Sequence, residues 1–299
     1  MNKGILAGIG AYTLWGLFPV YWRLLENDPA IEILAHRMVW SLLFMAALIS
    51  VQREWHSLIA ILHNRRTVLV YTLAAVILAL NWFTYIWAVN AGYVVEASLG
   101  YFINPLINFL LGVIFLGEKL RPWQVAAVIL AGLGVVYLTV SYGSLPWISL
   151  VLALTFGLYG LIKKTAVLES THGFSLETMV LFLPALGYLL FRESIGVGAF
   201  VNQGAWISLL LALAGPVTSV PLLMFGYAAR KIPLSMLGFI QYITPTLQFV
   251  LGVFVYREPF PASRLVGFSM IWAALVAYSL EGVFYSRKLK SNASLVEPL

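Results

Sequence analysis

The stretches "YFINPLINFLLGVIFLGE" (Tyr101–Glu118) and "QYITPTLQFVLGVFVYRE" (Gln241–Glu258) align without a gap at an offset of 140 residues. Seven positions are identical, including Pro105/Pro245, Gly112/Gly252 and Glu118/Glu258. Each run carries polar residues at i, i+3 and i+7: Tyr101, Asn104 and Asn108, then Gln241, Thr244 and Gln248. That spacing puts each set on one helix face. The prolines remove a backbone hydrogen bond and predict helix kinks at Pro105 and Pro245. Fainter echoes lie upstream. "LWGL" at Leu14–Leu17 matches "LYGL" at Leu158–Leu161, and a glutamate opens two further apolar runs, at Glu32 and Glu177.

The rest of the chain explains why such a repeat is so oily. Of 299 residues, 61% are hydrophobic and 10% charged. A soluble chain carries about 25% charged residues. A bilayer core needs about 20 apolar residues per helix. Ten such spans are expected, near 4–25, 31–51, 68–90, 94–116, 122–141, 145–163, 176–192, 206–228, 234–256 and 262–284. The first is read as a span, since it lacks a small-x-small cleavage signal. No run alternates polar and apolar residues as a β-barrel strand would. The expected fold is therefore an all-α integral membrane protein. With no cysteine, thiol chemistry is excluded.

Charge orients the spans. With both termini in the cytoplasm, thirteen Lys and Arg residues fall inside and four outside, and Arg37 alone lies within a span. This follows the positive-inside rule, and also accounts for the net charge of +6 without nucleic acid. Five helices per repeat is an odd number, so the second unit must be inverted. The units expected are 1–141 and 142–286, with a polar cytoplasmic tail at 287–299. Inverted repeats can expose a central site first to one face and then to the other.

Several residues are candidates for that site. The apolar run after Arg37 has only 14 residues, from Met38 to Val51. The helix must therefore begin near Ile31, which draws His36 and Arg37 about 8–10 Å below its end at about 1.5 Å per residue. A central arginine costs about 2.5–3.5 kcal/mol on insertion scales. Snorkelling to the headgroups is one reading. The other is an anion anchor, or a partner for Glu32 or Glu96. Glu32, His36 and Trp40 share a stripe, so Glu32, His36 and Glu96 are the candidates for proton or charge coupling. Asn81, Trp82 and Tyr85 sit mid-span, and Trp15 and Tyr159 are repeat-related aromatics; all are expected to line the cavity. For the Asn and Gln stripes, interhelical hydrogen bonding competes with cavity lining. Lys163 and Lys164 need only the inside charge rule.

"EILAHRMVWS" (Glu32–Ser41), "NWFTYIWAVN" (Asn81–Asn90), "EASLGYFINPLINFLLGVIFLGE" (Glu96–Glu118) and "LGFIQYITPTLQFVLGVFVYRE" (Leu237–Glu258) resemble the RarD proteins. These are bacterial permeases named for chloramphenicol sensitivity, in the EamA branch of the drug/metabolite transporter superfamily. The resemblance spans nearly the whole chain. It implies ten helices, the bacterial inner membrane and alternating access. It also implies that spans 1–4 and 6–9 surround a cavity, with spans 5 and 10 peripheral.

The function expected is secondary transport of a small organic metabolite or drug. No cofactor, metal or nucleic-acid partner is expected, and no nucleotide, since there is no P-loop. An intramembrane enzyme would need a constellation such as HExxH or GxSxG, and neither occurs; only four histidines are present, three of them placed in loops. A non-transporting sensor or assembly component is the remaining alternative, with no evident use for matched polar stripes.

Overall fold

The computed structural model describes residues 2–281, apart from 118, 120, 143–145, 233, 263–264, 275 and 278–279. Among the described residues the chain is helical, and nine helical stretches are long and apolar enough to cross a bilayer. They match the first nine spans expected. A shorter apolar helix, Leu265–Ala274, lies within the tenth. Parts of that span, Glu118 of the repeat and the tail fall outside the described residues.

Span 1 is two helices, α1 (Lys3–Gly16) and α2 (Phe18–Arg23), separated at Leu17. The cause is Pro19, which has no N–H to offer the Trp15 carbonyl. Next come α3 (Ala30–Gln52), α4 (Trp55–Leu62), α5 (Arg65–Asn90), α6 (Val94–Leu116), α7 (Pro122–Tyr142), α8 (Trp147–Thr165), α9 (Ser170–Ser194), α10 (Ala199–Asn202) and α11 (Ala205–Lys231). The two longer gaps between expected spans, 52–67 and 193–205, hold the short helices α4 and α10. α9 starts six residues earlier than expected, so His172 is helical and not in a loop; His56 lies within α4.

Span 9 is α12 (Leu234–Gln241), α13 (Ile243–Val250) and one π-helical turn, Leu251–Val255. The break at Tyr242 lies next to Gln241, whose carbonyl Pro245 cannot satisfy. Pro105 acts differently. It sits inside an unbroken α6, where it likewise has no N–H for the Tyr101 carbonyl.

A few helix starts are capped by side chains. Asn2 caps α1, and Asn64 caps α5. The Glu258 carboxylate accepts the Val94 and Val95 N–H groups at 3.1 and 2.8 Å, which places a negative charge at the start of α6. Close packing fixes the layout. A Cβ on Gly100 would lie 2.8 Å from the Ser149 carbonyl oxygen, so α6 and α8 meet backbone to backbone. α7 packs away from the centre: Ala127 and Ala131 cluster with Leu106 and Ala274, and Gly134 meets Gly267.

Candidate functional site

One cavity sits between the helices. It is lined by Tyr12 and Trp15 from α1, Phe18 from α2, Arg37 from α3, and Asn81, Trp82 and Tyr85 from α5. Tyr101 of α6, Phe156 of α8, Gln241 of α12 and Thr244 and Gln248 of α13 complete the wall. The empty space is about 410 Å³. The aromatic rings have closed in. Trp15 lies 5.5 Å from Phe156, and Tyr85 lies 5.7 Å from Tyr101, both edge to face.

Eight of the twelve expected lining residues meet here: Trp15, Arg37, Asn81, Trp82, Tyr85, Tyr101, Gln241 and Thr244. The other four lie off this wall. His36 stacks on Phe200 at 5.4 Å, and Trp40 meets the same ring at 5.7 Å. Asn104 donates to the Ala153 carbonyl at 2.7 Å, tying α6 to α8. Tyr159 donates to Glu177 at 3.0 Å. Tyr12, Phe18 and Phe156 were not singled out in the sequence. Nothing but their apolar character marks them there, and a helix-packing residue has the same character.

The polar stripes act both as glue and as lining. Thr244 donates to the Tyr12 carbonyl at 2.6 Å. Gln248 donates to the Trp15 carbonyl at 3.1 Å, filling the acceptor that Pro19 leaves open, and also to the Tyr85 hydroxyl at 3.1 Å. Asn81 donates to the Leu152 carbonyl and to Thr155. Its Oδ1, the Gln248 Oε1, the Gln241 Nε2 and the Arg37 Nη1 are buried without a hydrogen-bond partner. Most such groups in proteins are satisfied, so four around one cavity point to a polar occupant.

Arg37 is 1% exposed. Its Nε donates to Thr218 at 2.9 Å, and its guanidinium carbon lies 4.1 Å over Trp82 and 4.6 Å over Trp22. Neither Glu32 nor Glu96 pairs with it. Glu32 accepts from Arg192 at 2.9 Å and from the Ala199 N–H at 2.6 Å. Glu96 is half-buried in the first turn of α6, and its carbonyl accepts from Ser149.

Lys163 needs more than a charge rule. It is buried and paired with Glu177 at 2.8 Å, with Tyr71 5.3 Å away. Glu177 and Arg192 are fifteen positions apart on α9, or about 22 Å. The two buried carboxylate pairs therefore sit toward opposite ends of the bundle. At the Glu32 end, Asp28 accepts from Gln203 at 2.7 Å. Burial pushes the Asp28 carboxyl above its ordinary range, against the Gln203 hydrogen bond, with Glu32 adding to the rise and Arg192 opposing it. At the other end, His172 lies 3.0 Å from Glu54, and Tyr71 reaches the Leu168 carbonyl. Contacts between residues 1–141 and 142–286 thus lie toward both ends of the bundle.

The model of the EamA-like transporter family matches residues 2–140. "Protein RarD" of Streptomyces exfoliatus is 46% identical, covering 99% of this chain and 94% of that protein. The chain belongs to the RarD family of EamA-like transporters. RarD of Escherichia coli (strain K12) is 43% identical over 96% of this chain and 97% of its own, and "Uncharacterized transporter YojE" of Bacillus subtilis is 45% identical over 97% and 98%. Among solved structures, a crystal structure of a protein matches with a TM-score of 0.64 at 17% identity, over 93% of this chain and 96% of that one, which shows a shared fold. This RarD protein is accordingly a multi-pass membrane protein of a transporter family.

Proposed function

We propose that this RarD protein is a secondary transporter, not an enzyme, that moves a small organic metabolite or drug across the bacterial inner membrane by alternating access. The observation that carries this is the central cavity, with four unpartnered polar atoms in an aromatic wall. Its lining comes from both halves of the chain, as a site between inverted repeats requires. The repeat-related residues Tyr101 and Gln241 both lie on the wall, and each has a carbonyl that the proline four residues on cannot satisfy.

With both termini cytoplasmic, the Glu32–Arg192 pair closes the outer end, and the Glu54–His172 pair with the Lys163–Tyr71 contact closes the inner end. Transport then requires each to open in turn while the other holds. His36 and Glu32 remain the coupling candidates on α3, and Glu96 on α6. The test is flux in proteoliposomes, across a panel of labelled metabolites, with and without a pH gradient. Wild type is expected to move at least one solute, and Asn81→Ala to stop it while inserting normally. Undiminished flux in Asn81→Ala would refute the site.

A further inference from the structure

Arg37 is a buried cation whose neighbours leave part of it unanswered. Trp22 and Trp82 cover its faces, and Thr218 takes Nε. No carboxylate of the described residues pairs with it. Glu32, on the same helix, is occupied by Arg192 and the Ala199 N–H. Nη1 has no hydrogen-bond partner, and the side chain lines the cavity. A stacked guanidinium keeps its in-plane edge for a planar, two-oxygen acceptor. Cation–π contacts offset part of the charge but satisfy no N–H.

The rest of the wall describes the rest of the ligand. Trp15, Tyr101 and Phe156 offer aromatic surface, and Asn81 Oδ1 and Gln248 Oε1 offer acceptors. The acceptor assignments are firm, because each amide nitrogen donates to a backbone carbonyl. Resting on the transporter reading, we propose that the solute is a small organic anion, carboxylate or phosphate in type. Its anionic group seats on Arg37, its apolar or aromatic body lies on the Trp15–Phe156 surface, and an N–H or O–H donor meets Asn81 or Gln248. An organic cation would meet Arg37 with like charge, and a neutral solute would leave its Nη1 unpaired, so both are rejected.

The test uses the purified full-length protein in detergent. The probes are phenylacetate and phenyl phosphate, set against phenylacetamide and phenethylamine. Tryptophan fluorescence and the thermal unfolding midpoint are the readouts. At least one of the anions is expected to quench saturably and raise the midpoint, with the amide and amine weaker by about tenfold or more. Arg37→Gln is expected to lose that response by about tenfold or more, with an unfolding midpoint at or above wild type, since it removes a charge the fold does not pair. Arg37→Lys, which keeps charge but not the planar fork, is expected to fall between them. The proposal is overturned if neither anion gives a saturable response. It is overturned too if the amide or amine matches the anions, if Arg37→Gln binds them as wild type does, or if Arg37→Gln lowers the midpoint while leaving binding intact. If the neutral or cationic probe binds and Asn81→Ala removes that binding, the cavity stands as the transport site and only the anion assignment falls.

Discussion

Removing one partner of the Lys163–Glu177 pair leaves the other charge buried beside Tyr159 and Tyr71. Breaking such a pair costs about 3–5 kcal/mol, whereas replacing both partners with apolar groups of similar size can be neutral. Lys163→Met is therefore expected to lower the unfolding midpoint sharply, and Lys163→Met with Glu177→Leu to recover most of it; equal losses in both would count against the pair. Asp28 gives a pH signature. Its carboxyl is held above the ordinary range, chiefly by burial, so the folded state binds the proton more tightly than the unfolded one. Its contribution to stability is therefore greatest at low pH and is lost as pH rises through the shifted value. Asp28→Asn keeps the acceptor for Gln203 and is expected to be more stable than wild type at pH 7, with a flatter pH dependence in thermal unfolding. Sequence marked Arg37, Asn81 and Gln241 because polar groups in an oily helix stand out. It missed the role of Lys163 because a lysine at a helix end satisfies the charge rule whether or not a carboxylate faces it, and no periodicity links it to Glu177, fourteen residues on.

Helices meet here through glycine. Gly100 places α6 against α8 at Ser149, where backbone atoms lie 2.8 and 2.9 Å from a hypothetical Cβ. Backbone cannot yield as a side-chain tip does, so Gly100→Ala is expected to cost about 1–3 kcal/mol, read as a lower unfolding midpoint. Unchanged stability would mean that the helices slide apart freely. The nine long helices were legible as apolar runs, since a bilayer demands that length. The break in span 1 was not expected, although Pro19 signals it, and the break in span 9 lies at Tyr242, ahead of the proline that causes it. The helices α4 and α10 were missed because both are too short to cross a bilayer, with eight and four residues.

At the scale of the molecule, the two halves are held together at both ends around a narrow cavity. Alternating access requires one end to release at a time. Glu32→Gln weakens the Arg192 end, and Glu54→Gln weakens the His172 end. The carboxylates of Glu32 and Glu177 were visible in sequence as matched glutamates, but their partners, Arg192 and Lys163, come from opposite ends of the span 6–7 region and follow only from packing. The chain has no cysteine, so a single reporter has no background. The most direct measurement places that reporter on the cavity wall, as Phe156→Cys. It follows labelling by a membrane-impermeant thiol reagent in right-side-out and inside-out vesicles. The cavity is expected to be labelled from both faces, with Glu32→Gln increasing reaction from the outside and Glu54→Gln from the inside. Labelling from one face only, unmoved by either substitution, would contradict the account.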